Sequence, residues 1–113
     1  MFPKKNRVNK KLIEKIFKKG VFVNSENLNL KYYIEDRKIS PKISFFVPKA
    51  IEKSAVRRNY LKRQGYLMLK NFFNKIPEGF LGVFIFKKIK NKENLPGNIK
   101  KEIEKILKTI IKK

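Results

Sequence analysis

Phe80-Leu81-Gly82-Val83-Phe84-Ile85-Phe86 runs for seven residues without a polar side chain. Pro77-Glu78-Gly79 breaks the chain just before it, and a polar stretch follows. A strand with one wet face would alternate apolar and polar positions, so an unbroken apolar run bounded by turn residues predicts a central strand buried on both faces. The elements around it must therefore supply the cover.

Upstream, from about Ser54 to Phe73, the period becomes helical, with Leu61, Gly65, Met68 and Phe72 in one stripe that can pack on a sheet and Ser54 as the cap. Further upstream, Ile43 to Val47 reads as a strand ended by Pro48. Leu28, Leu30, Tyr32 and Ile34 alternate with Asn29, Lys31 and Tyr33, which predicts a half-exposed strand. The Ser40-Pro41 turn between these two predicts that they pair antiparallel. Val21-Phe22-Val23 begins the extended region, and Asn9 to Lys19 places Leu12, Ile13, Ile16 and Phe17 at helical spacing, with Asn9 as cap and Gly20 as stop. Downstream, after a polar linker holding Pro96 and Gly97, Ile99, Ile103, Ile106, Leu107, Ile110 and Ile111 trace one face of a last helix. The order is α-β-β-β-α-β-α, an α+β class chain forming one domain over residues 1–113. Phe22, Phe45, Phe72, Phe80 and Phe84 are expected in its core.

Charge is the strongest compositional signal: 30 Lys and Arg against 9 Asp and Glu leave +21 on 113 residues. Such a surface repels itself unless an anionic partner covers it. An A/T-rich coding bias would raise Lys, Ile, Asn and Phe, but it would raise Glu as well, and acids are scarce. The imbalance therefore points to a polyanion, above all a nucleic acid.

Without Cys or His the chain has neither disulfides nor the usual transition-metal ligands, and no metal site is expected. No apolar run approaches the length of a membrane span, and Met1-Phe2-Pro3-Lys4-Lys5 lacks the apolar segment of a secretory signal, so a cytoplasmic location without membrane contact is expected. No catalytic residue is expected either. General acid-base chemistry at neutral pH relies mostly on His or on carboxylates held together, and the one adjacent acid pair, Glu35-Asp36, reads as solvated strand-end charge. Gly-rich phosphate loops and nucleophile elbows are absent too.

Residues 49 to 63, Lys-Ala-Ile-Glu-Lys-Ser-Ala-Val-Arg-Arg-Asn-Tyr-Leu-Lys-Arg, hold six bases and one acid. On the predicted helix Asn59, Lys62, Arg63, Tyr66 and Lys70 fall at i, i+3, i+4, i+7 and i+11, one face turned away from the apolar stripe, with Arg58 beside it. Like charges a turn apart are unfavourable in isolation, and a phosphate backbone supplies the missing anion. Single-stranded nucleic acid also needs aromatic platforms, for which Phe17, Tyr32 and Tyr33 are candidates.

Ala55-Val56-Arg57-Arg58-Asn59-Tyr60-Leu61-Lys62-Arg63 resembles the Ala-x-x-Arg-Asn-x-x-Lys-Arg signature of the bacterial ribonuclease P protein component. Val47-Pro48-Lys49, Asn6-Arg7-Val8 and Ile16-Phe17-Lys18-Lys19-Gly20 are similar to that family's pattern, in order, over roughly residues 5 to 73. Tyr60 and Tyr66-Leu67 depart from it, standing where Arg and Arg-Glu are usual. The resemblance implies a four-stranded sheet packed with helices, the ribosomal protein S5 domain 2-like fold with a left-handed βαβ crossover. It implies a protein subunit that assists a catalytic RNA and its Mg²⁺ ions in removing the 5′ leader of precursor tRNA. No cofactor bound by the protein alone is then expected, and no obligate protein partner is inferred. Lys49, Lys53, Arg57, Arg58, Asn59, Lys62 and Arg63 would contact the RNA subunit, and the cleft between the first helix and the sheet would hold the leader. Phe17 matches a cleft aromatic, Ile13 stands where another is common, and Tyr32 matches a strand aromatic within a register of one.

Two other readings share the charge and size. A small structural, ribosomal-type RNA binder would co-purify with ribosomal subunits and leave tRNA maturation unaffected. A basic DNA-binding module would be competed equally by duplex DNA and structured RNA.

Overall fold

The computed structural model describes residues 6–88 and 95–111, without the side chains of 95, 96 and 111. Met1 to Lys5, the linker, the C-terminal lysines and the Ile111 side chain lie outside the described residues. The elements are α1 (Lys10–Lys19), β1 (Val21–Asn24), β2 (Leu28–Ile34), β3 (Lys42–Phe46), α2 (Ala55–Leu69), β4 (Phe80–Phe86) and α3 (Leu95–Ile111), with a short 3-10 turn at Phe73–Lys75. The order is the one the periodicity predicts.

Local chemistry sets the helix ends. Asn9 Oδ1 accepts from the Leu12 N–H at 3.0 Å, and Ser54 Oγ accepts from the Arg57 N–H at 3.3 Å, each satisfying a donor that the first turn leaves free. At Gly20 the chain turns straight into β1, and an added Cβ would lie 2.3 Å from the Ile16 carbonyl oxygen and 2.7 Å from that of Tyr32. Glycine is there because two backbones close on it. Three expectations shift by up to a turn. The Met68 position is only half-buried and Leu69 fills the core instead; α2 stops at Leu69; and α3 begins before Pro96, which its first turn tolerates because an N–H there would have no intrahelical partner.

The sheet order is β1-β2-β4-β3. β1 with β2 and β2 with β4 are antiparallel, whereas β3 runs parallel to β4, with Phe45 opposite Phe84. The expected antiparallel pairing of Leu28–Ile34 with the Ile43 strand does not form, because β4 inserts between them. An apolar strand gains more from two neighbours and two covered faces than either half-wet strand does, and β4 takes the centre. β3, α2 and β4 form the βαβ unit.

One face of the sheet carries the larger core, where Leu30, Phe45, Phe80 and Phe84 meet Leu61 and Leu69 of α2 and Ile99, Ile103 and Leu107 of α3. On the other face α1 lays Ile16 against Leu81 and Val83, with Leu12, Ile13 and Tyr33 at the margin. Phe22 departs from expectation: it is 52% exposed, since β1 is an edge strand with a strand neighbour on one side only. Among the described residues no helix is long and apolar enough to cross a membrane.

Glu102 of α3 pins the β1–β2 turn: its carboxylate accepts from the Ser25 hydroxyl (2.8 Å), the Asn27 N–H (2.8 Å), the Asn27 side-chain amide (2.7 Å) and the Leu28 N–H (3.2 Å). Charge-assisted bonds of this kind are the strong ones. Glu102→Gln should therefore lower unfolding free energy by about 1–2 kcal/mol, because an amide presents a donor where only donors converge. Urea titration followed by circular dichroism measures it, and an unchanged midpoint would show the clamp to be idle.

Candidate nucleic-acid interface

The segment before α1 is tied to the sheet, and that places Arg7. The buried Asn6 donates its amide to the Pro41 carbonyl at 3.0 Å, and the Val8 N–H donates to Ser44 Oγ at 2.8 Å. Arg7, held between them, lays its guanidinium over the Tyr66 ring, 4.7 Å from the centroid. Tyr66 in turn packs edge-on against Phe45 at 4.9 Å, and its hydroxyl accepts the Phe45 N–H at 3.1 Å. β3 is an edge strand, so that N–H has no strand partner, and the hydroxyl satisfies it. Gly65 makes this approach feasible: a Cβ there would sit 2.5 Å from the Phe45 ring.

The result is an open cleft of about 550 Å³ at the β3 edge, lined by Arg7, Asn59, Lys62, Arg63, Tyr66 and Lys70, with Ser44, Phe45 and Leu67 completing it. Four of its nine lining residues are cations and none is an acid. The Nε of Arg7 is buried without a hydrogen-bond partner among the described residues. A donor left so, beside fixed positive charge, calls for an acceptor oxygen that is itself anionic. The five residues aligned from their helical spacing thus share one concavity. Arg7 was not singled out as a site residue; its role depends on a contact between the chain's beginning and α2, which no local pattern encodes.

Of the other basic candidates, Lys49 and Lys53 are exposed on the approach to α2 and Arg57 is exposed in its first turn. Arg58 is half-buried, and its Nη1 donates to the carbonyls of Glu52 (3.0 Å) and Lys53 (2.8 Å), holding the loop that carries Lys49 and Lys53. Part of its guanidinium thus serves the protein itself.

On the α1 side, Phe17 is 49% exposed and Ile13 is half-buried against the sheet. Tyr32 does not join them. It points to the other face, stacked on Phe80 with centroids 5.5 Å apart, and the register places Tyr33, not Tyr32, on the α1 side. The Lys15 ammonium lies 5.3 Å from the Tyr33 ring centroid, and Lys31 lies 5.9 Å from that of the exposed Phe22. Cations over aromatic rings are the elements of a single-strand groove. Lys15 also bonds Glu35 at 2.5 Å, tying α1 to the end of β2, and Arg37 lies 3.7 Å from the same carboxylate. The Lys15 hydrogen bond above all holds the Glu35 carboxyl below the usual carboxylate range. Glu35 is therefore a strut rather than a free strand-end acid.

The chain matches the family described as Ribonuclease P over residues 2–111. Its fold is similar to solved structures of the RNase P protein of Staphylococcus aureus (TM-score 0.79, 21% identity, 93% of this chain and 94% of that one). A mutant of that protein with defective mRNA degradation activity superposes equally (TM-score 0.79, 22% identity, covering 93% and 87%). The RNase P protein of Thermotoga maritima gives a TM-score of 0.76 at 24% identity, covering 91% of this chain and 96% of that one. No curated protein matches the chain.

Proposed function

We propose, because the chain belongs to the ribonuclease P family, that it is the protein subunit that binds the catalytic RNA through α2 and receives the 5′ leader of precursor tRNA beside α1. The observation that carries this reading is the cleft where Arg7, Asn59, Lys62, Arg63 and Lys70 converge with no acid among its lining residues. Phosphate oxygens fit that donor set, and the rigid sheet behind Tyr66 keeps it in place. The protein supplies no acid, base or nucleophile to the hydrolysis; the RNA subunit and the Mg²⁺ it binds perform it. The expected setting is cytoplasmic tRNA processing. Phe17, Phe22 and Tyr33, with Lys15 and Lys31, form the platform for the single-stranded leader, and stacking there reads no particular sequence.

Reconstitution tests it. Protein added to the matching RNA should restore precursor-tRNA cleavage at low Mg²⁺, while protein alone cuts nothing; no stimulation of the RNA refutes the assignment. Within that assay Phe17→Ala should weaken precursor binding about fivefold to tenfold and leave mature tRNA unaffected, the loss of one stacked base. An equal loss for both would remove the leader platform from α1.

A further inference from the structure

α2 is apolar on two sides. Leu61, Gly65 and Leu69 face the sheet, yet Val56, Tyr60 and Leu67 are 79%, 42% and 43% exposed. At 3.6 residues per turn those three lie within roughly 40° of arc, opposite the core side, and span about 16 Å of helix. Lone exposed hydrophobic residues are ordinary, but an aligned row rimmed by charge marks a contact surface. Its rim is cationic: Arg63 and Lys70 border it on the cleft side, Arg57 on the other, and Ala55–Leu69 contains no acid.

We infer that Tyr60, flanked by Val56 and Leu67, is a stacking platform for an unpaired base of the RNA subunit, adding a shape-reading contact to the phosphate contacts of the neighbouring cleft. The inference rests on the reading of α2 as the face that meets that RNA. Charge complementarity selects the occupant. A protein partner would have to bring a dense acidic rim, whereas an RNA carries its negative charge in every residue and offers flat apolar faces wherever a base is unpaired. A bilayer is a poor match, because the row is one residue wide and the opposite side of α2 is fixed in the core.

The test compares the full-length chain, Tyr60→Phe and Tyr60→Ala for binding to the transcribed RNA subunit across a salt series, with chemical probing of unpaired bases. Tyr60 is exposed and Ala is the better helix former, so neither variant should lose its fold. Tyr60→Phe should bind within twofold of the parent. Tyr60→Ala should bind about tenfold to a hundredfold more weakly with an unchanged salt slope, and one base protected by the parent and by Tyr60→Phe should become reactive. Parent-like binding by Tyr60→Ala, an equal loss in both variants, or a shallower slope would each overturn the stacking role. An unmodified chain that fails to bind the RNA subunit would instead bring down the interface reading itself.

Discussion

Phe84→Ala should cost about 3–5 kcal/mol of unfolding free energy, enough to leave much of the chain unfolded at 37 °C. Phe84 is fully buried at the middle of β4, stacked on Phe45 with centroids 4.9 Å apart, and its Cα partners are Leu30 on one side and Phe45 on the other. Truncation opens a void within the larger core, between the two neighbouring strands. Those neighbours cannot close in, because the strand spacing is set by the backbone ladder. The +21 charge removes part of the margin, since self-repulsion favours the expanded chain. Urea denaturation read by circular dichroism measures the loss, and a shift below about 1 kcal/mol would mean that β4 does not organise the core. Saturating RNA subunit should restore much of the folded fraction, because a ligand that binds only the folded state stabilises it by mass action.

Replacing Lys62, Arg63 and Lys70 together by alanine should weaken RNA-subunit binding on the order of a hundredfold at physiological salt and flatten the log–log salt dependence by about two to three. Each side chain lines the same cleft, so each is expected to release about one counterion on contact. The folded state should not suffer. The change lowers the net charge by three and separates like charges along α2, and alanine is the better helix former. Filter binding over a salt series, beside a thermal melt of the free protein, separates lost contact from lost structure. A full-strength loss with the parent's slope would mean that these cations act through the protein rather than on phosphate.

What could be read in advance divides along physical lines. Periods of 3.6 and 2 and the caps Asn9 and Ser54 depend on neighbours in the chain, and the elements they predict are present. Strand partners depend on free energy gained far along the sequence. Nothing within Ile43 to Phe46 tells that β4 will lie between it and β2, so the local pattern favours a pairing that the fold does not make. The aromatic that faces α1 turns on a single residue: adjacent strand positions face opposite sides, and a register uncertain by one chooses between Tyr32 against the larger core and Tyr33 beside α1. The alternation that puts Tyr32 with Leu28 and Leu30 already carried that answer. The cation line on α2 was visible because it lies on one helix, whereas Arg7 joins it only through the anchoring of Asn6 and Val8 to the β3 region.

The central position of β4 also governs how the chain is made. Until residue 86 leaves the ribosome, the β1–β2 hairpin and β3 have nothing to join them, and α2 has only half a platform. Nascent chains that stall earlier present unpaired strand edges and a high positive charge to any nucleic acid nearby. Productive folding must therefore wait for β4, and a chain cut short before it would expose sticky strand edges rather than form a smaller working protein.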